Sequence, residues 1–273
     1  MKTIKKIGFF ISAAIFLSAI LGCGDFVWRD VDVKNMTISN LSELKAFRDR
    51  VNGGYSFDGW YIELVSDIDL SGVEWQPIGE FVGGNTHSFA GTFNGRGNVI
   101  SGLTIDSADD DIGFFRYLDF KGTIKNLGLY DVSITGGNSV GSLIGVNLGT
   151  IENCYAIGKV LGTKRVAIGG LIGANQGTIR NCYTAVVVGV GAGAGTPMFG
   201  GFAGVNFEGH IENSYSAANP FVGGNPGDTP FINSGFRNSI EMREQSTFAA
   251  WDFVNTWGID PNINDGYPHL LKK

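Results

Sequence analysis

Short apolar runs punctuated by glycine recur through the middle of the chain in a constant order. Gly149-Thr150-Ile151-Glu152-Asn153-Cys154-Tyr155 returns almost letter for letter as Gly177-Thr178-Ile179-Arg180-Asn181-Cys182-Tyr183. A looser copy is Gly209-His210-Ile211-Glu212-Asn213-Ser214-Tyr215, and a divergent one is Gly122-Thr123-Ile124-Lys125-Asn126-Leu127-Gly128. A companion phrase precedes three of them: Gly141-Ser142-Leu143-Ile144-Gly145-Val146-Asn147, Gly169-Gly170-Leu171-Ile172-Gly173-Ala174-Asn175 and Gly200-Gly201-Phe202-Ala203-Gly204-Val205-Asn206. Ile124, Ile151, Ile179 and Ile211 stand 27, 28 and 32 residues apart. A period in this range with fixed glycines is the mark of a stacked repeat. No helix of useful length fits between the glycines, so each repeat holds several short strands. The pattern predicts a right-handed parallel β-helix with one coil per repeat.

Alternation within a copy assigns its parts. Ile124 points inward and Lys125 outward, yet Leu127 and Leu129 both belong inside. Asn126 therefore interrupts the alternation and marks a corner. Asn126, Asn153, Asn181 and Asn213 are expected to stack as a ladder. Lys125, Glu152, Arg180 and Glu212 share the outward slot after the isoleucine and alternate in charge along the stack. Exposed pairs of this kind contribute about 0.2–1 kcal/mol each.

Ahead of the repeats the period changes. Asn40-Leu41-Ser42-Glu43 reads as a capping box, with Asn40 as N-cap and Glu43 three residues on. Leu44, Phe47 and Val51 follow at helical spacing, and Asn52-Gly53-Gly54 stops the helix. One amphipathic helix here covers the open end of the stack. After Ala217 the pattern loosens into a Gly- and Pro-rich loop, and Phe248, Trp251, Phe253 and Trp257 gather in a C-terminal cap. The expected fold is all-β: a parallel β-helix solenoid with a short N-terminal capping helix and a C-terminal cap. Residues 1–22 read as a signal peptide, 23–36 as a tether and 37–273 as a single domain. Within that domain the helical cap takes residues 37–54, the coils 55–220, and the loop and C-terminal cap 221–273.

Composition adds the address. Lys2, Lys5 and Lys6 precede an apolar run from Gly8 to Leu21, which ends in Ile20-Leu21-Gly22-Cys23. This is the layout of a secretory signal, and its last four residues resemble a bacterial lipobox, which would make Cys23 the lipidated first residue. The apolar run is shorter than the ~20 residues a membrane span needs, so the expected attachment is a lipid anchor. The net charge of -6 excludes nucleic acid as an expected partner. Forty-two glycines are about twice the usual share, and they disfavour helices. Cys154 and Cys182 occupy one slot of successive repeats. Stacking sets such residues about 4.8 Å apart, with parallel Cβ vectors poorly suited to a bridge. Two buried thiols are the expectation.

The repeats resemble the GLUG-type repeats of bacterial surface proteins, whose coil carries Gly-Gly-Leu-Ile/Val-Gly-x-Asn followed by Gly-x-Ile-x-Asn-Cys/Ser-Tyr. The match is best from Gly169 to Tyr183, and Phe202-Ala203 and Ser214 depart from it. Phe89 to Ile100 resembles the segment that opens such arrays, and Trp251-Asp252-Phe253 with Asn264-Asp265-Gly266-Tyr267-Pro268 resembles the ending. Such repeats occur in adhesin-like proteins and in some immunoglobulin-cleaving metalloproteases. The resemblance brings no catalytic residues.

The candidate chemistry is sparse. His87, His210 and His269 are isolated, so no zinc-protease motif is present. Asp106, Asp109 and Asp111 in an acidic turn are weak candidates for calcium, the alternative being a solvated loop. Tyr155, Tyr183 and Tyr215 share a slot beside the inward cysteines. They are expected to point outward, as an exposed ladder for glycan or protein, the alternative being that they pack under the adjoining loop or line the core. Glu152 and Glu212 lie two coils apart, about 9.6 Å, near the limit for an inverting carboxylate pair. The reading that follows is an exported, lipid-anchored protein of the cell envelope, at the outer membrane or cell surface. It acts as a non-catalytic adhesin-like or ligand-binding module for a glycan or a host or cell-surface protein, without cofactor. The alternatives are a polysaccharide-cleaving hydrolase or lyase, and a purely structural envelope protein.

Overall fold

A computed structural model describes residues 34–164, 167–191 and 198–273. The signal segment and Cys23 lie outside the described residues.

The repeats stack as parallel coils, forming a β-solenoid of about six turns. One sheet runs through Asn35–Ile38, Tyr61–Leu64, Thr92–Asn94, Thr123–Gly136, Thr150–Gly162, Tyr183–Val190, Tyr215–Ser216 and Gly235–Phe236. A second runs through Phe115–Leu118, Ile144–Asn147, Ile172–Asn175, Ala203–Asn206 and Val222–Gly224. Register follows the sequence repeat: Ile124 pairs with Ile151, Ile151 with Ile179 and Ile179 with Ile211. With Phe93 and Ile62 above them, these residues form an inward column that no solvent reaches. Glycine is required where coils touch: a Cβ on Gly149 would run into the carbonyl of Gly122, and one on Gly177 into that of Gly149.

The corner asparagines form the expected ladder, and it is longer than the repeats imply. Asn126 donates to Asn94 at 3.0 Å, Asn153 to Asn126 at 3.0 Å, Asn181 to Asn153 at 3.3 Å, Asn213 to Asn181 at 3.3 Å and Asn233 to Asn213 at 3.3 Å. From Asn126 onward each rung sits at φ between 47° and 53°. Asparagine tolerates that left-handed geometry better than most L-residues. A second ladder, not read from the sequence, joins Asn147, Asn175, Asn206 and Asn225 on the opposite side of the coil. Its signal was the last residue of the companion phrase, which recurs in all three copies.

The N-terminal helix, α1 (Leu41–Asn52), buries Leu44, Phe47 and Val51. Phe47 meets Phe57, Phe89 and Phe93 at ring-centroid distances of 5.0, 5.4 and 5.7 Å, closing that end of the bore. Asn40 caps the helix by accepting from the Glu43 amide at 3.0 Å. The capping box closes one residue earlier than expected: the Glu43 carboxylate accepts from the Ser39 amide at 2.7 Å.

Residues 237–273 run along the side of the stack as a strap. Trp251 Nε1 donates to the carbonyl of Asn213 at 2.8 Å, near the last coils. Lys272 pairs with Asp67 at 2.7 Å and Arg96 donates to the Lys273 carbonyl at 3.0 Å, near the first. Within the strap, Trp257–Gly258 pairs antiparallel with His269–Leu270.

Candidate functional site

The strap decides the fate of the tyrosine ladder. Tyr155, Tyr183 and Tyr215 pair in register and leave the bore on its outer side, because Cys154 and Cys182 turn inward. Tyr155 and Tyr183 stack at 5.2 Å with their planes 7° apart. The exposed ladder is nevertheless not present: the three residues are 2%, 0% and 4% exposed. Met242, Phe248, Trp251, Trp257, Tyr267 and Leu270 of the strap cover them. Tyr183 donates to the Pro268 carbonyl at 2.6 Å and accepts from Asn264 at 2.7 Å. The ladder is therefore the seat of the strap. Gly128 opens it, since any Cβ there would lie about 2.5 Å from the Tyr155 ring.

The cysteines remain free and buried. Each works as a hydrogen-bonding rung. The Cys154 amide donates to Cys182 Sγ at 3.3 Å, and the Cys182 amide to Ser214 Oγ at 3.2 Å. Each rung's own thiol or hydroxyl donates to the carbonyl two residues back: Cys182 to Arg180 at 3.1 Å, Ser214 to Glu212 at 2.9 Å. Burial pushes the Cys182 thiol well above its usual range, so it stays protonated.

The acidic turn does not converge on a cation. Asp111 accepts from the Tyr117 hydroxyl at 2.7 Å, and Asp109 pairs with Arg116 at 3.6 Å. Asp106 lines a neighbouring groove that Asp111 does not reach. Among the described residues no three His, Cys, Asp or Glu side chains gather where they could hold a metal ion. Each carboxylate beside Arg116 and Tyr117 has a protein partner instead. Burial works against ionisation of Asp110, but hydrogen bonds from Asn138 and Lys164 outweigh it and hold that carboxyl below the usual range.

The charge column is in register but mostly unpaired. Among the described residues it forms one ion pair, Arg180 to Glu212 at 3.4 Å, while Lys125 lies 5.4 Å over the Tyr61 ring. Glu212 also faces His210 at 3.5 Å.

The acidic turn instead forms one wall of a groove of about 600 Å³. The other wall is a hairpin, Glu80–Val82 and Asn85–His87, turned by Gly83 and Gly84 at positive φ. His87 anchors its base through a 2.7 Å contact to the carbonyl of Asn52. Phe81 stands 58% exposed on the rim, facing Asp109, Asp110, Arg116 and Tyr117. No repeat pattern marks this hairpin; the signal available in the sequence was Gly83-Gly84 between short β-prone runs.

Comparison with known proteins places these features. Residues 136–161 match the GLUG motif family. Halomucin of Haloquadratum walsbyi is 35% identical over 136 residues, which cover 47% of this chain and 1% of that protein. A protein of Evansella cellulosilytica, provisionally named a Gly-rich membrane protein, is 36% identical over 123 residues, covering 41% of this chain and 14% of that one. The chain thus spans a small part of the length of these relatives. A crystal structure from Bacteroides ovatus, of a protein provisionally assigned as an immunoglobulin A1 protease, superposes with a TM-score of 0.59. It covers 87% of this chain and 92% of that one at 19% identity, a likeness of fold. The register, the corner asparagines and the family match agree: this chain is a parallel β-solenoid that carries the GLUG motif.

Proposed function

We propose that this chain is a cell-envelope protein whose solenoid serves as a non-catalytic binding module, with the groove beside Phe81 as its glycan-binding site. The observation that carries the reading is the groove itself: an exposed aromatic ring on a projecting hairpin, opposite a guanidinium and three carboxylates. An aromatic face suits the C–H side of a sugar ring, and charged acceptors and donors suit its hydroxyls. The envelope location draws support from the Evansella relative named a membrane protein and from the secretory layout of residues 1–23, where Cys23 is the proposed lipidation site. An adhesin-like role fits a rigid stack that presents one groove on a stable frame. The provisional protease assignment of the Bacteroides ovatus structure is not carried over, because His87 and His210 are each committed to separate local contacts.

A glycan panel tests this reading. Binding is expected for at least one polysaccharide fragment, and Phe81→Ala should weaken it by about tenfold or more. An absence of binding across the panel would leave a structural envelope role standing instead. Release of reducing ends that disappears on Glu212→Gln would replace binding with polysaccharide cleavage.

A further inference from the structure

The coil that follows Tyr183–Val190 is short. Thr123–Gly136, Thr150–Gly162 and Tyr183–Val190 lie side by side, but on the next coil Tyr215–Ser216 pairs only with Tyr183 and Thr184. The chain then turns away to Phe221, whose carbonyl accepts from the Phe202 amide at 2.9 Å. Residues 185–190 are therefore a strand edge that no other strand among the described residues covers. They read Ala185-Val186-Val187-Val188-Gly189-Val190. Val187 points outward and is 73% exposed. Val188 continues the inward column of Ile134 and Val160, which are buried, yet is itself only half-buried. Val190, next along that inward side, is 38% exposed.

The bonds of this strand fix the direction of its backbone. The Thr184 carbonyl accepts from Ala217 on the following coil at 2.9 Å, and the Gly191 amide donates to Gly162 on the preceding coil at 2.8 Å. Successive residues of a strand in a parallel ladder turn their amide and carbonyl to opposite neighbours. Val186, Val188 and Val190 therefore aim both groups at the side where the following coil is missing. Natural sheets guard such an edge with charge, proline or a bulge. Here the guard is absent: residues 181–207 hold no Asp, Glu, Lys or Arg, the longest such stretch in the chain.

The edge is complementary to itself. An antiparallel pairing about a twofold axis at Val188 sets Val188 opposite Val188 and Val186 opposite Val190, so every free amide meets a free carbonyl. On the outer face, Val187 then stands opposite Gly189 of the second copy. Gly189 leaves the gap that Val187 needs, and Leu161 leans over it: a Cβ at Gly189 would lie 3.1 Å from Leu161 Cδ1. A twofold contact also sets like residues against like, so it is disfavoured by charge at its centre, and this edge carries none. We infer that residues 186–190 are the contact strand of a twofold dimer, joined edge to edge with a second copy of this chain.

Sedimentation velocity of the full chain over a concentration series tests this. A monomer–dimer equilibrium in the micromolar range is expected, as befits a small interface. Val187→Lys, at an exposed position that the fold does not need, should weaken dimerisation by about tenfold or more, because it brings two ammonium groups to the contact. Val187→Thr keeps the β-branch without charge and should dimerise nearly as the parent does. Oxidative cross-linking reads the register. Val188→Cys should be captured as a dimer, because position 188 meets itself at about 5.5 Å between Cα atoms, within disulfide range. Val190→Cys is the more exposed site, but it lies about 14 Å from its own copy and should not be captured. The inference is overturned if the chain stays monomeric, if Val187→Lys dimerises like the parent, or if Val190→Cys cross-links and Val188→Cys does not. A monomer that instead takes up a synthetic peptide of residues 183–191 would also overturn it, and would assign the edge to an extended strand of another protein.

Discussion

At the residue scale the repeat is a set of slots, each fixed by one physical demand. The corner slot needs left-handed backbone and an amide that both donates and accepts. Asn153, at φ 50°, donates to Asn126 and accepts from Asn181. Asn153→Gly keeps the backbone and loses two bonds, at about 0.5–1.5 kcal/mol each. Asn153→Ala should cost about 1–2 kcal/mol more, because alanine is strained at positive φ. Urea unfolding of the two variants measures the difference, and equal stabilities would refute the conformational argument. The cysteine slot needs a small group that donates backward and accepts from the coil before. Serine fulfils it at Ser214. Cys182→Ser should therefore be close to neutral, whereas Cys182→Ala strands the Cys154 amide and should cost about 1–3 kcal/mol. Were alanine the better tolerated of the two, the thiol would be only a space-filler. These slots were legible in the sequence because stacking repeats the same demand at every coil. The companion asparagines, Asn147, Asn175 and Asn206, were equally regular, but one inward turn of the chain is not visible from spacing alone.

At the element scale, direction was readable and cover was not. Alternation placed Tyr155 and Tyr183 on the outer side, and they are there. The strap that buries them has no period, so its course from Asn213 to Asp67 is not written in the spacing of its aromatic residues. The hairpin at Phe81 escaped for the same reason: an insertion between coils obeys no repeat. The strap's hold is concentrated in Trp251, which stacks on Trp257 at 4.3 Å and bonds to Asn213. Trp251→Ala should cost about 3–5 kcal/mol, seen as early proteolytic cutting within residues 237–273. Strap attachment should also depend on pH. Burial lowers the pKa of His269 below 6.5, and Asp260 opposes the shift only in part. A lowered folded value means the unfolded strap binds the proton more readily. The stabilisation is thus complete above pH 6.5 and is lost as pH falls through the folded value. Facing groups are Asp67, Lys272, Tyr130 and Tyr155, and Tyr155 stays protonated throughout because burial raises its pKa. Protection factors of strap amides, each taken against the intrinsic exchange rate at the same pH, should fall between pH 8 and pH 5. His269→Gln should flatten that profile, and a profile unchanged by this variant would assign the acid sensitivity elsewhere.

At the scale of the whole molecule, the question is how a one-dimensional stack becomes one cooperative unit. In a solenoid each coil contacts only its neighbours, so stability is a sum of local terms and the weakest end can open first. The weak end is identifiable here. Along one inward column, Ile100 and Leu129 give way to Ala156, then Thr184, then Ser216. Apolar burial falls from coil to coil, and each buried methylene lost removes about 0.8 kcal/mol. The N-terminal end, by contrast, is closed by α1 and the cluster around Phe47. The strap changes this one-dimensional picture. It bonds the penultimate coils through Tyr215, Trp251 and Asn213, and the first coils through Asp67 and Arg96. Opening the weak end therefore also exposes the aromatic seat of the whole strap, which links the last coils energetically to the first. Deleting residues 237–273 should uncouple them. The full chain is expected to unfold in one calorimetric transition with equal calorimetric and van't Hoff enthalpies. The deletion should give a broadened or split transition, with amide protection lost first in the coils after Tyr183. A single sharp transition in the deleted chain would show that coil-to-coil stacking suffices, and that the strap stabilises only the face it covers.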